Sequence, residues 1–211
     1  MPINFFHRRT IETAADSTTP VYLLIGLGNP GREYRENRHN IGFMVIDRLA
    51  ADAGVKLTRV QNRALTGSAM FGQAKVILAK PQTYMNLSGE SASGLMRFYK
   101  VPSDHLMVIH DDIDLPFGML RLRPGGGSAG QKGVQSIIER IGSQDFPRLR
   151  FGIGRPAGFK GGAGYVLQNF SAEEQKEMPF LIDAAASAVK LFIADGLDAA
   201  MNRYNGSQLE D

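Results

Sequence analysis

"YLLIGLGNPGREYRENRHNIGF", residues Tyr22–Phe43, sets the architecture of this chain. A short apolar run ends in a Gly-Asn-Pro-Gly turn, and such a run bounded by turn residues reads as a buried strand. Beyond the turn, Ile41, Met44, Val45 and Leu49 recur at helical spacing, so a helix is expected to start near Asn40. Strand, turn and helix in succession open an α/β unit. His39 stands at the mouth of that helix, where it acquires a function only if the remaining sequence supplies partners.

The same alternation continues outward. "LTGSAMFG" and "AKVILAK" read as a hairpin turning at Gly72, and "NLSGESASGLMRFYK" as a helix with Leu87, Leu95 and Phe98 inward. "HLMVIHDD" is a strand ending in acids, and "GMLRLR" a strand alternating Leu and Arg that leads into "PGGGSAGQKG". The helix "VQSIIERIG", the strand "RLRFGIG" and a wholly helical pattern from Ser171 complete the chain. The expected fold is α/β: a single-domain, three-layer α/β/α sandwich over residues 21–211. Its twisted sheet should be mixed, because the hairpin must be antiparallel. Residues 1–20, rich in Ser, Thr and Pro toward their end, are expected to form a flexible N-terminal tail.

With 211 residues, 43% of them hydrophobic, the chain can build one well-cored domain. No stretch approaches the roughly eighteen apolar residues of a membrane span, so no membrane association is expected. There is no cysteine, which excludes disulfides and thiolate nucleophiles and suits a reducing compartment. A net charge of +3 permits a nucleic-acid partner without requiring one.

The unusual polar residues gather on this map. Asn29 follows the first strand, and His39 and Asn40 open the first helix. Met85 and Asn86 open the second, Asp111 ends the "MVIHD" strand, and Gln131 and Lys132 open the helix after the glycines. Residues beyond the carboxyl ends of strands in an open α/β sheet line one crevice, so these segments are expected to converge. Individually each has an ordinary reading. Asn29 suits a turn, His39 and Asn86 suit helix caps, and Met85 suits the core. Asp111, Asp112 and Asp114 fit a solvated acidic loop or a magnesium site, although no second cluster supports a metal. Gly125 to Gly127 lack the Gly-Lys-Ser/Thr ending of a phosphate loop, which leaves a nucleotide-binding enzyme as the weakest reading.

Together, "GLGNPGREYRENRHNIGF", "KPQTYMNLSGES", "VIHDDIDLPFGMLRLRPGGGSAGQKGVQSI" and "RLRFGIGRP" resemble the successive motifs of bacterial peptidyl-tRNA hydrolase, from about Tyr22 to near Tyr204. The resemblance implies a cytoplasmic, cofactor-free and metal-free monomer. Its reaction would cleave the ester between a peptide and the 3′-terminal ribose of tRNA, recycling tRNA from prematurely released peptides. It further implies that His39 is the general base, that Asp111 orients it, and that Asn29, Tyr34, Asn40, Tyr84, Met85, Asn86 and Lys132 bind substrate. Ester hydrolysis needs an activated water and donors for the developing oxyanion, and these residue types supply both. Attack by water needs no serine elbow, and no "GxSxG" is present. For the acceptor stem and CCA end, the expected contacts are Arg121, Arg123, Lys132, Arg148 and Arg150, with Arg155 nearby; such phosphate contacts position without reading sequence. Gln131 and Lys132 replace a His-Asn pair common in the resembled family, which leaves a catalytically inactive RNA-binding relative as the alternative.

Overall fold

The computed structural model describes residues 19–155 and 162–209. The expected tail, residues 1–20, lies outside the described residues except for its last two, of which Pro20 accepts a hydrogen bond from the Lys75 N–H. Eight strands form one sheet: β1 (Val21–Gly26), β2 (Arg59–Gln61), β3 (Ala64–Phe71), β4 (Ala74–Pro81), β5 (Leu106–Asp112), β6 (Met119–Arg123), β7 (Arg148–Gly152) and β8 (Gly206–Ser207). Their order is β2-β3-β4-β1-β5-β7-β6-β8. The central β4, β1, β5 and β7 are mutually parallel, while β3 and β6 join them antiparallel, so the sheet is mixed.

Parallel strands need both faces covered. Alternation along β1 sends Leu24 to one core and Leu23 and Ile25 to the other. Helices α1 (Ile41–Asp52), α5 (Ala172–Asp195) and α6 (Leu197–Tyr204) cover the first face; α2 (Ser88–Tyr99) and α3 (Lys132–Ile141) cover the second, with a short α4 (Gly162–Val166) before α5. The chain leaves β1 toward α1 on one face and leaves β4 toward α2 on the other, which opens a crevice beyond the carboxyl ends of the central strands. Two glycines set how closely α1 approaches it. A Cβ on Gly26 would collide with the Gly42 carbonyl, and one on Gly42 with the backbones of Leu27 and Ile109. Only bare backbone lets the first turn of α1 rest on β1 and β5, and this brings His39 and Asn40 to the strand ends.

Two sequence expectations need correction. Only Leu95 of the three apolar residues expected inward on α2 is buried; Leu87 is 40% and Phe98 60% exposed. The inward face instead uses Ser88, Gly89, Ser91 and Ala92, because α2 and α3 pack closely, with the Gly89 N–H donating to Ser136 Oγ at 3.0 Å. The segment from Ser171 is not wholly helical either, since β8 pairs with β6. Among the described residues no helix is long and apolar enough to cross a membrane.

Candidate active site

At the carboxyl end of β5, Asp111 is buried, and one of its oxygens, Oδ2, lies 2.9 Å from His39 Nδ1. Its other oxygen, Oδ1, accepts from Gln131 Nε2 at 3.0 Å. Burial alone would raise the Asp111 carboxyl, but the His39 ring, by charge and by hydrogen bond, and the Gln131 amide outweigh it and hold the group below the usual carboxylate range. Asp111 is therefore an anion at neutral pH, and Nδ1 of His39 must carry the proton it donates. In the neutral ring this leaves Nε2 as the nitrogen without a proton. The ring is 12% exposed and lines a cleft of about 570 Å³.

The other wall is built on asparagines. The Asn40 amide is spent on the main chain of Asn29, accepting from its N–H and donating to its carbonyl, both at 2.9 Å. Asn29 in turn accepts from the Met85 N–H at 2.9 Å. A backbone N–H only donates, so that atom of Asn29 is Oδ1, and its Nδ2 is left without a protein partner among the described residues. Asn29, exposed Tyr84 and Asn86, and buried Met85 line the cleft with Asp112, Asp114, Ser128, Lys132, Arg155, Val166 and Leu167.

The family profile described as peptidyl-tRNA hydrolase matches residues 23–211. The peptidyl-tRNA hydrolase of Desulforamulus reducens is 51% identical over 183 residues, 87% of this chain and 88% of that one. That of Alkaliphilus metalliredigens is 46% identical over 186 residues, covering 88% of this chain and all of its relative. A crystal structure of peptidyl-tRNA hydrolase from Acinetobacter baumannii superposes with a TM-score of 0.82 at 37% identity, covering 89% of this chain and 95% of the other. The chain belongs to the peptidyl-tRNA hydrolase family.

Within this hydrolase the structure distributes the expected site residues unevenly. His39, Asp111, Asn29, Tyr84, Met85, Asn86 and Lys132 share the cleft. Tyr34 does not line it; it sits half-buried in a 3-10 turn, Arg32–Tyr34. Asn40, 2% exposed, supports Asn29 rather than facing the cleft. Arg148 is a further correction. It is 2% exposed and donates to the carbonyls of Gly127 and Gln144, so it fastens the Gly-rich loop and presents no surface cation. Arg150 is largely buried and paired with Asp112 at 2.5 Å, and Arg155 pairs with Asp114 at 2.7 Å. Arg121 and Arg123 project from β6 on the same face as Arg148 and Arg150, because these positions pair across β6 and β7. No group of three or more His, Cys, Asp or Glu side chains able to hold a metal exists among the described residues.

Sequence reasoning did not find two supports. Arg38 is buried, with its guanidinium on Glu174 and the Asn169 carbonyl and over the rings of Tyr165 and Phe170. It ties the turn bearing His39 to the segment that supplies Val166 and Leu167 to the cleft. His110 is also buried; its Nδ1 lies 2.7 Å from the Asp111 carbonyl, which can only accept, so Nδ1 carries the proton. Burial depresses the ring's basicity and its Nε2 has no partner, so His110 is held neutral. The only sequence signals were an Arg adjoining His39 and a second His adjoining Asp111.

Proposed function

We propose that this hydrolase cleaves the ester between a peptide and the 3′-terminal ribose of tRNA in the cleft around His39, acting as a cytoplasmic monomer and holding the CCA end and acceptor stem of its substrate. The observation that carries the reading is the 2.9 Å contact between His39 Nδ1 and a buried, ionised Asp111, which leaves Nε2 free in the cleft. His39 Nε2 takes a proton from water, and the oxygen attacks the ester carbonyl carbon. The carbonyl oxygen becomes an oxyanion, for which Asn29 Nδ2, whose oxygen is held by the Met85 N–H, and the cleft-lining Asn86 amide serve as donors. Collapse breaks the bond to the ribose oxygen, which takes the proton held on His39. One water is consumed, and a peptide acid and tRNA with a free hydroxyl leave. Asp111 stays ionised throughout and stabilises the imidazolium. Of the cations expected at the phosphates, Arg121, Arg123 and Lys132 have no ion-pair partner among the described residues, while Arg150 is partly compensated by Asp112.

An inactive RNA-binding role has no use for a base aligned on a buried acid, and it is not favoured. The test is release of tRNA from N-acetyl-aminoacyl-tRNA by the purified protein, with the unblocked aminoacyl-tRNA in parallel and EDTA present. The blocked ester should be cleaved with or without chelator, and His39→Ala should abolish turnover while tRNA binding persists. Cleavage that needs an added divalent ion, or a His39→Ala variant within a few-fold of wild type, refutes the mechanism.

A further inference from the structure

Gln131 joins the fold to the proposed base. Its side chain accepts hydrogen bonds from the Gly133 N–H at 2.5 Å and the Val134 N–H at 3.0 Å, capping α3. Two N–H donors converge on that atom, so it is the oxygen, and the amide nitrogen is forced toward Asp111 Oδ1 at 3.0 Å. Asp111 thus has a donor on each oxygen, His39 on one and Gln131 on the other. A carboxylate with a single partner can turn about its terminal torsion, which is broad. One with a donor at each oxygen has its plane fixed.

We propose that Gln131 is a positioning residue for the hydrolysis: pinned by the first turn of α3, its amide holds the Asp111 carboxylate in the plane that presents Oδ2 to His39 Nδ1. This rests on the reading of His39 as the base. A helix cap needs only an acceptor, which is why Ser, Thr, Asp and Asn serve as caps. The positioning role needs, in addition, a donor at the far end of the same side chain, and Gln131 is long enough and has the chemistry to provide both. The amide does not titrate in the working range, so this donor is present at every pH at which the base functions.

The two roles separate by substitution. Gln131→Glu keeps an acceptor for the Gly133 and Val134 N–H groups but turns an anion, not a donor, toward Asp111. Gln131→Asn keeps a capping amide too short to reach the carboxylate, and adds no charge. In both, kcat on N-acetyl-aminoacyl-tRNA should fall by about 10- to 100-fold, the scale of a small misplacement of a catalytic group, with KM within about threefold. In Gln131→Glu alone, the acidic limb of the kcat/KM profile should also move to higher pH, because a second carboxylate favours the His39 imidazolium. Gln131→His, whose ring can accept on one nitrogen and donate from the other, should recover most of the turnover. Wild-type kcat and pH profile in Gln131→Glu, undiminished turnover in Gln131→Asn, or a Gln131→His no better than either would overturn the proposal. His39→Ala measured alongside keeps the outcomes distinct: if that variant still turns over, the base assignment has failed; if it is inert while the Gln131 variants are unaffected, only the positioning role has failed.

Discussion

Asp111→Asn preserves the shape of the side chain and changes one oxygen to an NH2, and the structure dictates which way the new amide must face. Turned with its oxygen toward His39, it would set its NH2 against Gln131 Nε2 across the 3.0 Å now spanned by a hydrogen bond, donor against donor. Gln131 cannot relieve this by flipping, because its oxygen is held by the Gly133 and Val134 N–H groups. A buried donor left unsatisfied costs about 1–3 kcal/mol. Turned the other way, the amide accepts from Gln131 and donates to His39 Nδ1, and every group is satisfied once the ring proton moves from Nδ1 to Nε2. The second arrangement should therefore dominate, and in it the nitrogen facing the cleft is protonated and no longer a base. A tautomer preference of about 1–3 kcal/mol accounts for roughly five- to 150-fold, and loss of the carboxylate charge that stabilises the imidazolium adds to it; the corresponding change in a serine-protease triad costs about 10⁴-fold in all, and a loss approaching that is expected here. Single-turnover release of tRNA from N-acetyl-aminoacyl-tRNA, at saturating enzyme, measures it without interference from product release. Adding Gln131→Glu to Asp111→Asn supplies an acceptor for the new NH2 and lets the amide oxygen return to His39, so the double variant should be at least tenfold faster than Asp111→Asn alone. An Asp111→Asn variant within about tenfold of wild type, or a double variant slower than the single, would refute the tautomer argument.

Three further outcomes are expected. Arg123→Ala should lower the slope of log affinity for tRNA against log salt by about one unit with little effect on saturating turnover, since Arg123 is an exposed cation remote from the base; an unchanged slope in filter binding removes it from the RNA contact. His110 should make the fold acid-sensitive: its basicity is depressed in the folded state, so the stability from keeping it neutral is complete above the unfolded pKa of about 6.5 and is lost as pH falls below that value. Urea unfolding over that range should show a shallower pH dependence for His110→Gln, which keeps a donor for the Asp111 carbonyl without titrating, and identical slopes for the two proteins would show that His110 does not contribute. Lys132 is exposed at the first turn of α3, lines the cleft and has no protein partner among the described residues, and a flexible, strongly hydrated ammonium there is better suited to an RNA phosphate than to a preorganised oxyanion contact. Lys132→Ala should weaken tRNA binding and its salt dependence while saturating turnover survives; a ten- to thousand-fold loss of kcat with unchanged binding, roughly the range for losing an oxyanion donor, would place it on the carbonyl instead.

The layers of the fold were legible in the sequence because apolar runs and helical periodicity report burial directly. Leu87 and Phe98 misled because periodicity identifies an apolar stripe without revealing that α3 approaches α2 at Gly89 too closely to leave room for a side chain there. For the site, the linear order placed Asn29 and Asp111 at strand ends and His39 and Asn86 at helix starts, and topology alone makes such residues converge. What a side chain is bonded to was not legible. Arg121, Arg123, Arg148 and Arg150 form one alternating pattern in sequence, yet Arg148 is enclosed by carbonyls and Arg150 by Asp112, distinctions that depend on loops distant in the chain. Asn40 likewise looks like a substrate amide until its partner is seen to be the main chain of Asn29.

That partnering has a consequence for where the reaction's oxyanion can be met. Both ends of the Gln131 amide are engaged, the oxygen on α3 and the nitrogen on Asp111, and both ends of Asn40 are engaged on Asn29. Neither can turn to a substrate carbonyl without breaking an internal bond that orders the cleft. Asn29 differs, because only its oxygen is occupied, by the Met85 N–H, and this bond orients its NH2 at no cost when substrate arrives. A donor fixed before the charge develops is worth more than one that must reorganise. These amides thus divide by what holds them: Gln131 and Asn40, anchored at both ends, order the cleft wall, whereas Asn29, anchored at one end, keeps an NH2 for the oxyanion contact proposed above.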